Sequence, residues 1–506
     1  MSDLPLVAPG VYVEEASTGE RMIHGAPTSI TAFIGRAERG PVNEPVPVSS
    51  MADYDRLFGG LWAGSTMSHS VRHFFENGGS DAIVVRIHNG ATAATFEFPG
   101  PTGSLVFKAA SSGSWANNLE LEVDHETTFS NNDAAFNLTV REAVDGKTIV
   151  EEVFRNLSTD RENRHYVGWV LEQQSAMLQV TGDVPTGRPD AGPPVDRSDG
   201  GDGQDIGYAQ TAAPELEKRE EGLWALEKAE IFNLLCIPPF SNDTDVDIET
   251  WTAAQSYCRN NCAFLIIDPP SSWARPSDVV VGNDHLAGAV PARSCDAAVY
   301  FPRVRFANPL NGNKVETYAP CGVVAGIYAR TDSRRGVWKA PAGKEAKLVG
   351  VDGLAYEMTD DANDILNSLG VNCIRSLSDN GCVLWGSRTT EGTDHIASQW
   401  KYVSVRRLAF FIVQSIRRGT LWAQFELVSE ALYAEVRSHV RSFMANLFRQ
   451  GVFAASMPDD AYFVRCGSDT TTENDVREGI INVEVGFAPL RPREFLLMTF
   501  SLYRHY

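Results

Sequence analysis

Residues 402–451 read YVSVRRLAFFIVQSIRRGTLWAQFELVSEALYAEVRSHVRSFMANLFRQG. The period of their apolar positions decides how the C-terminal part of the chain folds. In the second half the apolar residues are Phe425, Val428, Leu432, Val436, Val440, Phe443 and Leu447. Every step is three or four residues, which sets them in one stripe along a helix. Gly451 stands where such a helix stops. A first helix precedes it, with Leu408, Ile412 and Ile416 down one side. Arg406–Arg407 and Arg417–Arg418 form two doublets eleven residues apart, a spacing that returns to nearly the same helical face. The stripe is expected to enter a core, and the paired arginines to meet water or an acidic partner.

The composition bounds the rest. At 506 residues the chain exceeds one compact core and should hold two to four domains. A hydrophobic content of 43% with 10% aromatics belongs to a folded globular protein. The net charge of -21 argues against non-specific nucleic-acid binding, which needs a basic field. Met1–Pro5 lacks a basic segment followed by an apolar run, so no signal peptide is expected. No window approaches the roughly 18 apolar residues of a membrane span. The eight cysteines are scattered, with Cys258 and Cys262 closest. They read as free thiols in a reducing compartment.

Working outward from the helical stretch, the N-terminal part alternates strands and helices. Val11, Tyr12 and Val13 form a short strand that needs a distant partner or another chain. Thr31–Gly35 and Ala82–Ile87 are buried strands around helices at Met51–Phe58 and Ser68–Asn77. Strand, helix, strand points to an α/β unit with parallel pairing. From Asn89 the texture becomes short alternating bursts, so residues 91–224 read as a mostly β insertion. Within it, residues 183–207 are rich in Gly, Pro and Asp and read as a mobile exposed loop. The α/β pattern resumes at Ile231–Ile237, Phe264–Asp268 and Ala297–Phe301. Residues 338–349 read as an exposed loop, Asp360–Leu369 as a short helix, and Val383–Trp385 as a strand. The chain closes with strands at Ile480–Val485 and Phe495–Tyr503, the last with apolar residues on both faces.

Catalytic signatures fail on inspection. Gly343–Lys344 resembles the end of a phosphate-binding loop, but Trp338 occupies the place of its first glycine and Glu345 that of its Ser or Thr. Serines near Gly64–Ser68 and Ala455–Pro458, with Asp268 at a strand end and His285 in a loop, do not assemble a triad by sequence. There is no Gly-x-Ser-x-Gly elbow, and no His, Asp and Glu cluster has metal-ligand spacing. The expectation is a chain with no catalytic, cofactor-binding or metal-binding residues.

Six motifs, in order, resemble the contractile tail sheath proteins of phages, R-type bacteriocins and extracellular contractile injection systems. They are Pro9-Gly-Val-Tyr-x-x-Glu15, Ala32-Phe-Ile-Gly-x4-Gly-Pro41, Phe74-Phe-x-Asn-Gly-Gly79 with its following strand, Trp338-Lys-Ala-Pro-Ala-Gly343, Trp385-Gly-x-Arg-Thr389, and the pair Tyr402–Arg407 with Thr420–Glu426. The resemblance spans the chain outside residues 91–224. One departure stands out. The family's Phe-Glu-Pro-Asn is here Phe425-Glu-Leu-Val428, which moves the helix break toward Ser429, a good N-cap. The undivided chain differs from type VI secretion sheaths, which split this protein in two.

The resemblance implies a multi-domain α/β protein, α+β overall. Residues 1–25 would be an N-terminal strand arm associated with the inner domain. Residues 26–90 and 225–350 would be a subtilisin-like but non-catalytic middle domain, and 91–224 an outer insertion. Residues 351–480 would form the C-terminal inner domain and 481–506 a C-terminal strand arm. The arms, through Val11, Tyr12, Val13, Phe495, Leu497, Thr499, Ser501 and Tyr503, would exchange between subunits. The implied partners are further copies of the chain in six-fold rings, an inner tube protein, and baseplate and terminator or cap proteins. No nucleic acid, membrane insertion or cofactor is implied. The arginines 406, 407, 417 and 418 are expected to face the tube. Assembly would occur in the bacterial cytoplasm, before any release of the particle. The competing readings are another tail-like structural component, of tube or capsid type, and last a hydrolase.

Overall fold

The computed structural model describes residues 22–128, 135–144, 146–281, 285–286, 291–489 and 495–503. The chain divides into two compact units, one running from Pro27 to Phe410 and the other holding Phe411 onward together with the residues up to Ala26.

The larger unit is built on buried apolar strands. Its first elements are β1 (Thr31–Gly35), β2 (Pro45–Val48), α1 (Met51–Phe58), α2 (Met67–Glu76) and β3 (Ala82–Arg86). An inserted β region follows, with β4 (Thr95–Phe98), β5 (Leu105–Ala109), β6 (Leu119–Asp124), β7 (Ala135–Val144), β8 (Lys147–Ser158), α3 (Val167–Gln174), β9 (Leu178–Thr181) and β10 (Asp196–Ser198). The body resumes at β11 (Leu234–Cys236), α4 (Ile248–Asn260), β12 (Phe264–Ile267), β13 (Ala297–Phe301), the hairpin β14 (Val304–Asn308) and β15 (Lys314–Tyr318), and α5 (Cys321–Arg335). It finishes with α6 (Asp360–Ser368), β16 (Val371–Leu377) and β17 (Gly381–Leu384).

One sheet of order β2-β3-β1-β11-β12-β13-β16-β17 organises this unit. Its six central strands are parallel, with Thr31 opposite Ala82 on one side and Leu234 on the other. β2 and β17 run antiparallel at the edges. Such a sheet must be covered on both faces, and successive side chains supply both cores. Phe33, Val84, Cys236, Ile266 and Tyr300 face α2 and α5, packing with Phe74 and Ile327. Ala32, Val85, Leu235, Leu265 and Val299 face the other way, onto Trp251 and Cys258 of α4.

The helix α5 is absent from the sequence reading. Its first nine residues, Cys321–Ala329, are all buried, so no polar face marks it. Gly322 and Gly326 bring it close to α2: a Cβ there would meet the Ser70 and Phe74 carbonyls at 2.1 and 2.5 Å.

The insertion has its own core. Its four-stranded sheet β10-β4-β5-β9 and three-stranded sheet β6-β7-β8 share Phe96, Phe98, Phe107, Leu138, Phe154 and Leu171. Its end differs from the expected residue 224. Ile206, Ala212, Leu223 and Leu226 already pack in the α/β core, because this later stretch carries apolar residues that the insertion's core does not take up. The segment 183–207 holds β10 and is pinned by side chains: Asp202 accepts from the Ser114 amide at 2.7 Å and Asn117 accepts from the Gly200 amide at 2.7 Å.

Two further expectations are corrected. Residues 338–349 are not an exposed loop. Ala346 and Leu348 are buried in the core, and the Gly343 and Leu348 amides donate to Leu384 and Cys382 at 2.7 and 2.8 Å. For the same reason no domain begins at 351, since β16 and β17 complete the main sheet. None of the eight cysteines forms a disulfide. No helix among the described residues is long and apolar enough to cross a membrane.

Candidate assembly surfaces

The helical stretch becomes α7 (Val403–Gly419) and α8 (Glu430–Arg449), joined by a short 3-10 turn at Leu421–Phe425. The division between units falls inside α7, after Phe410. In the second unit, Ala26 donates its amide to Ser415 Oγ at 2.9 Å, and α8 packs with the sheet β18 (Tyr462–Cys466), β19 (Ile480–Phe487) and β20 (Leu496–Tyr503).

Ser429 is the N-cap of α8, its hydroxyl accepting from the Leu432 amide at 3.2 Å. Leu432, Val436, Val440, Phe443 and Leu447 form the buried stripe. Phe425 and Val428 lie before the helix, and Phe425 is 78% exposed, so the expected stripe is two residues too long at its start. At the far end Gly451 adopts φ +75°. Its amide and that of Val452 donate to Phe448 and Leu447 at 2.9 and 3.2 Å, a left-handed C-terminal stop.

The three strands are antiparallel with β19 in the centre, and β20 pairs along its whole length from Leu496 opposite Phe487 to Tyr503 opposite Ile480. Alternation divides its residues. Leu496, Met498, Phe500 and Leu502 are buried in the unit's core. Leu497, Thr499 and Ser501 turn outward, with Leu497 55% exposed and Ser501 Oγ donating to Asn482 Oδ1 at 2.6 Å. Tyr503 is in register with that outward row. Phe495, just before the strand, meets Phe463 edge-on at 5.2 Å. Of the expected exchange residues of the C-terminal strand, Leu497, Thr499 and Ser501 therefore fall on its outward row and Phe495 does not. One edge of β20 is satisfied within the chain, and the other has no strand partner among the described residues. Val11, Tyr12 and Val13 lie outside the described residues.

The four arginines do not act together. Arg407 is buried at 3% side-chain exposure, and its guanidinium bridges Asp332 at 2.5 and 3.0 Å, the Thr28 carbonyl at 2.9 Å, and the Tyr328 ring. Arg406 donates to Asp296 at 2.7 Å and lies over Trp400 and Phe410. Both are committed inside the larger unit, which corrects their expected outward role. Acidic partners more than 70 residues away in sequence claim them, and helical spacing cannot foresee that. Arg417 and Arg418 are exposed.

Two of the groups weighed for hydrolysis make structural contacts. Asp268 is buried at the end of β12, and its Oδ1 accepts from the Cys321 amide at 2.8 Å, capping α5. Burial raises its pKa to about 6, against the pull of Cys321 and Arg303. Ser65 accepts from the Met67 amide at 3.2 Å. Among the described residues no group of three or more metal-binding side chains converges.

Comparison with known proteins gives one direction. Residues 307–390 match the family model for the phage tail sheath protein central domain. The tail sheath protein of Burkholderia phage BcepMu is 26% identical over 81% of this chain and 80% of its own length. That of Vibrio phage KVP40 is 28% identical over 25% of this chain, so the chain matches only 18% of that relative's length. Among solved structures, a sheath tail protein of Listeria innocua superimposes with a TM-score of 0.64 at 14% identity, covering 96% of this chain and 97% of that one. The sheath of an extracellular contractile injection system in its contracted state gives a TM-score of 0.55 at 20% identity, covering 98% of each chain.

Proposed function

We propose, from the similarity to contractile tail sheath proteins, that the chain is one of them and the force-generating subunit of a contractile sleeve. Copies polymerise as stacked six-fold rings around an inner tube, bounded by baseplate and cap proteins, after assembly in the bacterial cytoplasm. Firing releases a metastable extended state into a shorter, wider one, driven by surface newly buried between copies, with no nucleotide consumed.

The observation that carries the reading is β20, whose outer edge meets no strand among the described residues. An eight-residue strand with no partner on one edge among the described residues is a template for another strand. Val11–Val13 of a neighbouring copy, expected from the sequence to be a strand, would supply it. The outward row Leu497, Thr499, Ser501 and Tyr503 then lines the joint between subunits. Such links let rings turn and slide while remaining connected. The tube contact falls to Arg417 and Arg418, which are exposed on α7, whereas Arg406 and Arg407 are buried in the larger unit's own ion pairs.

Deletion of residues 1–15 tests this. The full chain should form polymers that pellet in the ultracentrifuge. The truncated chain should stay in the supernatant with an unchanged far-UV circular dichroism spectrum. Polymers formed equally well by the truncated chain would defeat the strand-exchange reading.

A further inference from the structure

The helix α2 presents two histidines, one turn apart, to the hairpin β14–β15. Their ring centroids are 6.4 Å from each other. His73 stacks on Phe306 of β14 with 3.6 Å between centroids and 14° between planes, and it meets the Tyr318 ring of β15 edge-on at 5.6 Å. His69 lies 4.8 Å from the same tyrosine ring. Both histidines are buried, at 3% and 5% exposure. Phe306 and Tyr318 belong to the core on the α2 side of the main sheet, so the two imidazoles stand where the hairpin joins that core. His73 Nδ1 is buried and has no hydrogen-bond partner among the described residues. A proton added to that ring would set a charge in apolar surroundings with no acceptor to meet it.

We propose that His69 and His73 form an acid-sensitive catch: as neutral rings they hold the hairpin β14–β15 against α2, and once protonated they release it. The charges around them favour that outcome. On α2, Arg72 pairs with Glu76 at 2.7 Å, and Asp55 of α1 lies within the field of Arg72. On β15, Glu316 favours a charge on His69, and it is itself held by Asn311, Asn308 and the Tyr318 hydroxyl, which donate to it at 2.8, 2.8 and 3.0 Å. On β14, Arg305 is exposed, out of phase with Phe306. On α5, Arg330 packs at Gly78, beyond the end of α2. For His73 the acting neighbours are His69 and Arg72, and both oppose a further positive charge.

The direction of the effect follows from the proton count. Burial foremost, then His69 and Arg72, holds the His73 pKa well below the ordinary 6.5. Burial and Arg72, opposed by Glu316, lower that of His69 to about 4. With the hairpin closed the rings bind fewer protons than with it open. The hold is therefore full above about pH 6.5 and weakens as the pH falls below it, about tenfold per pH unit for each ring that stays neutral when closed.

The test is hydrogen–deuterium exchange of the full chain, read by mass spectrometry on peptides covering residues 304–318 and corrected for the intrinsic pH dependence of exchange. Between pH 7 and pH 4.5 the proposal expects corrected exchange there to accelerate at least tenfold in the wild type, while peptides covering β12 keep their protection. His73→Phe retains a ring for the stack on Phe306 and cannot take a proton, so its acceleration should be at least tenfold smaller. Far-UV circular dichroism at pH 7 checks its fold. If that variant does not fold, His69→Phe carries the same expectation. Unchanged protection of 304–318 in the wild type at pH 4.5 would overturn the proposal. So would an acceleration as large in the folded variant as in the wild type, which would place the titrating group elsewhere.

Discussion

Asp268 places a buried carboxylate against the Cys321 amide, and its second oxygen has no hydrogen-bond partner among the described residues. Its pKa in the folded chain stands at about 6, above the ordinary 3.8, so the folded state holds the proton more tightly than the unfolded one. The stability this group contributes is present below about pH 4 and lost as pH rises through about 6. Asp268→Asn keeps an acceptor for the Cys321 amide and carries no charge. The variant's stability relative to wild type should therefore improve by about 3 kcal/mol between pH 4 and pH 7 in urea unfolding. A difference independent of pH would show that Asp268 is not the titrating group. Arg407 and Asp332 form the opposite case, a buried pair with matched charges. Arg407→Met alone should cost about 3–5 kcal/mol, and the Arg407→Met/Asp332→Leu double change much less, because the single change strands a buried charge. Comparable losses in both variants would contradict that. At this scale the sequence was least legible. It displays arginine doublets but not the distant aspartates that claim them.

At the scale of elements the reading was clearest where burial leaves a period. The strands Thr31–Gly35, Phe264–Ile267 and Ala297–Phe301 announce themselves as apolar runs, and α8 as a stripe with a stop at Gly451. Where burial is complete the period vanishes, which is why α5 went unread. The Ser429 cap was legible because a capping residue stands immediately before a helical period. Ser429→Ala should lower stability by about 1 kcal/mol, while Ser429→Asp retains most of it. Equal loss in both would mean the hydroxyl contributes by packing and not by capping. For β20, alternation sets inward and outward residues. Its partnership with β19 was not legible, because pairing depends on which edges are free in the folded chain.

For the whole molecule, the alternation of strands and helices indicated the parallel sheet. Boundaries were the weak point. The Trp338–Gly343 motif resembled a linker because it is polar and glycine-bearing, yet the backbone that follows pairs with β17 and ties residues beyond 350 to the main sheet. The most direct measurement is negative-stain electron microscopy of the purified full-length chain, alone and in its native particle. The account predicts hollow sleeves of uniform width, or striated tails that shorten and widen on triggering. Single, monodisperse particles at every salt and protein concentration, with no tail-like structure from the native source, would contradict it.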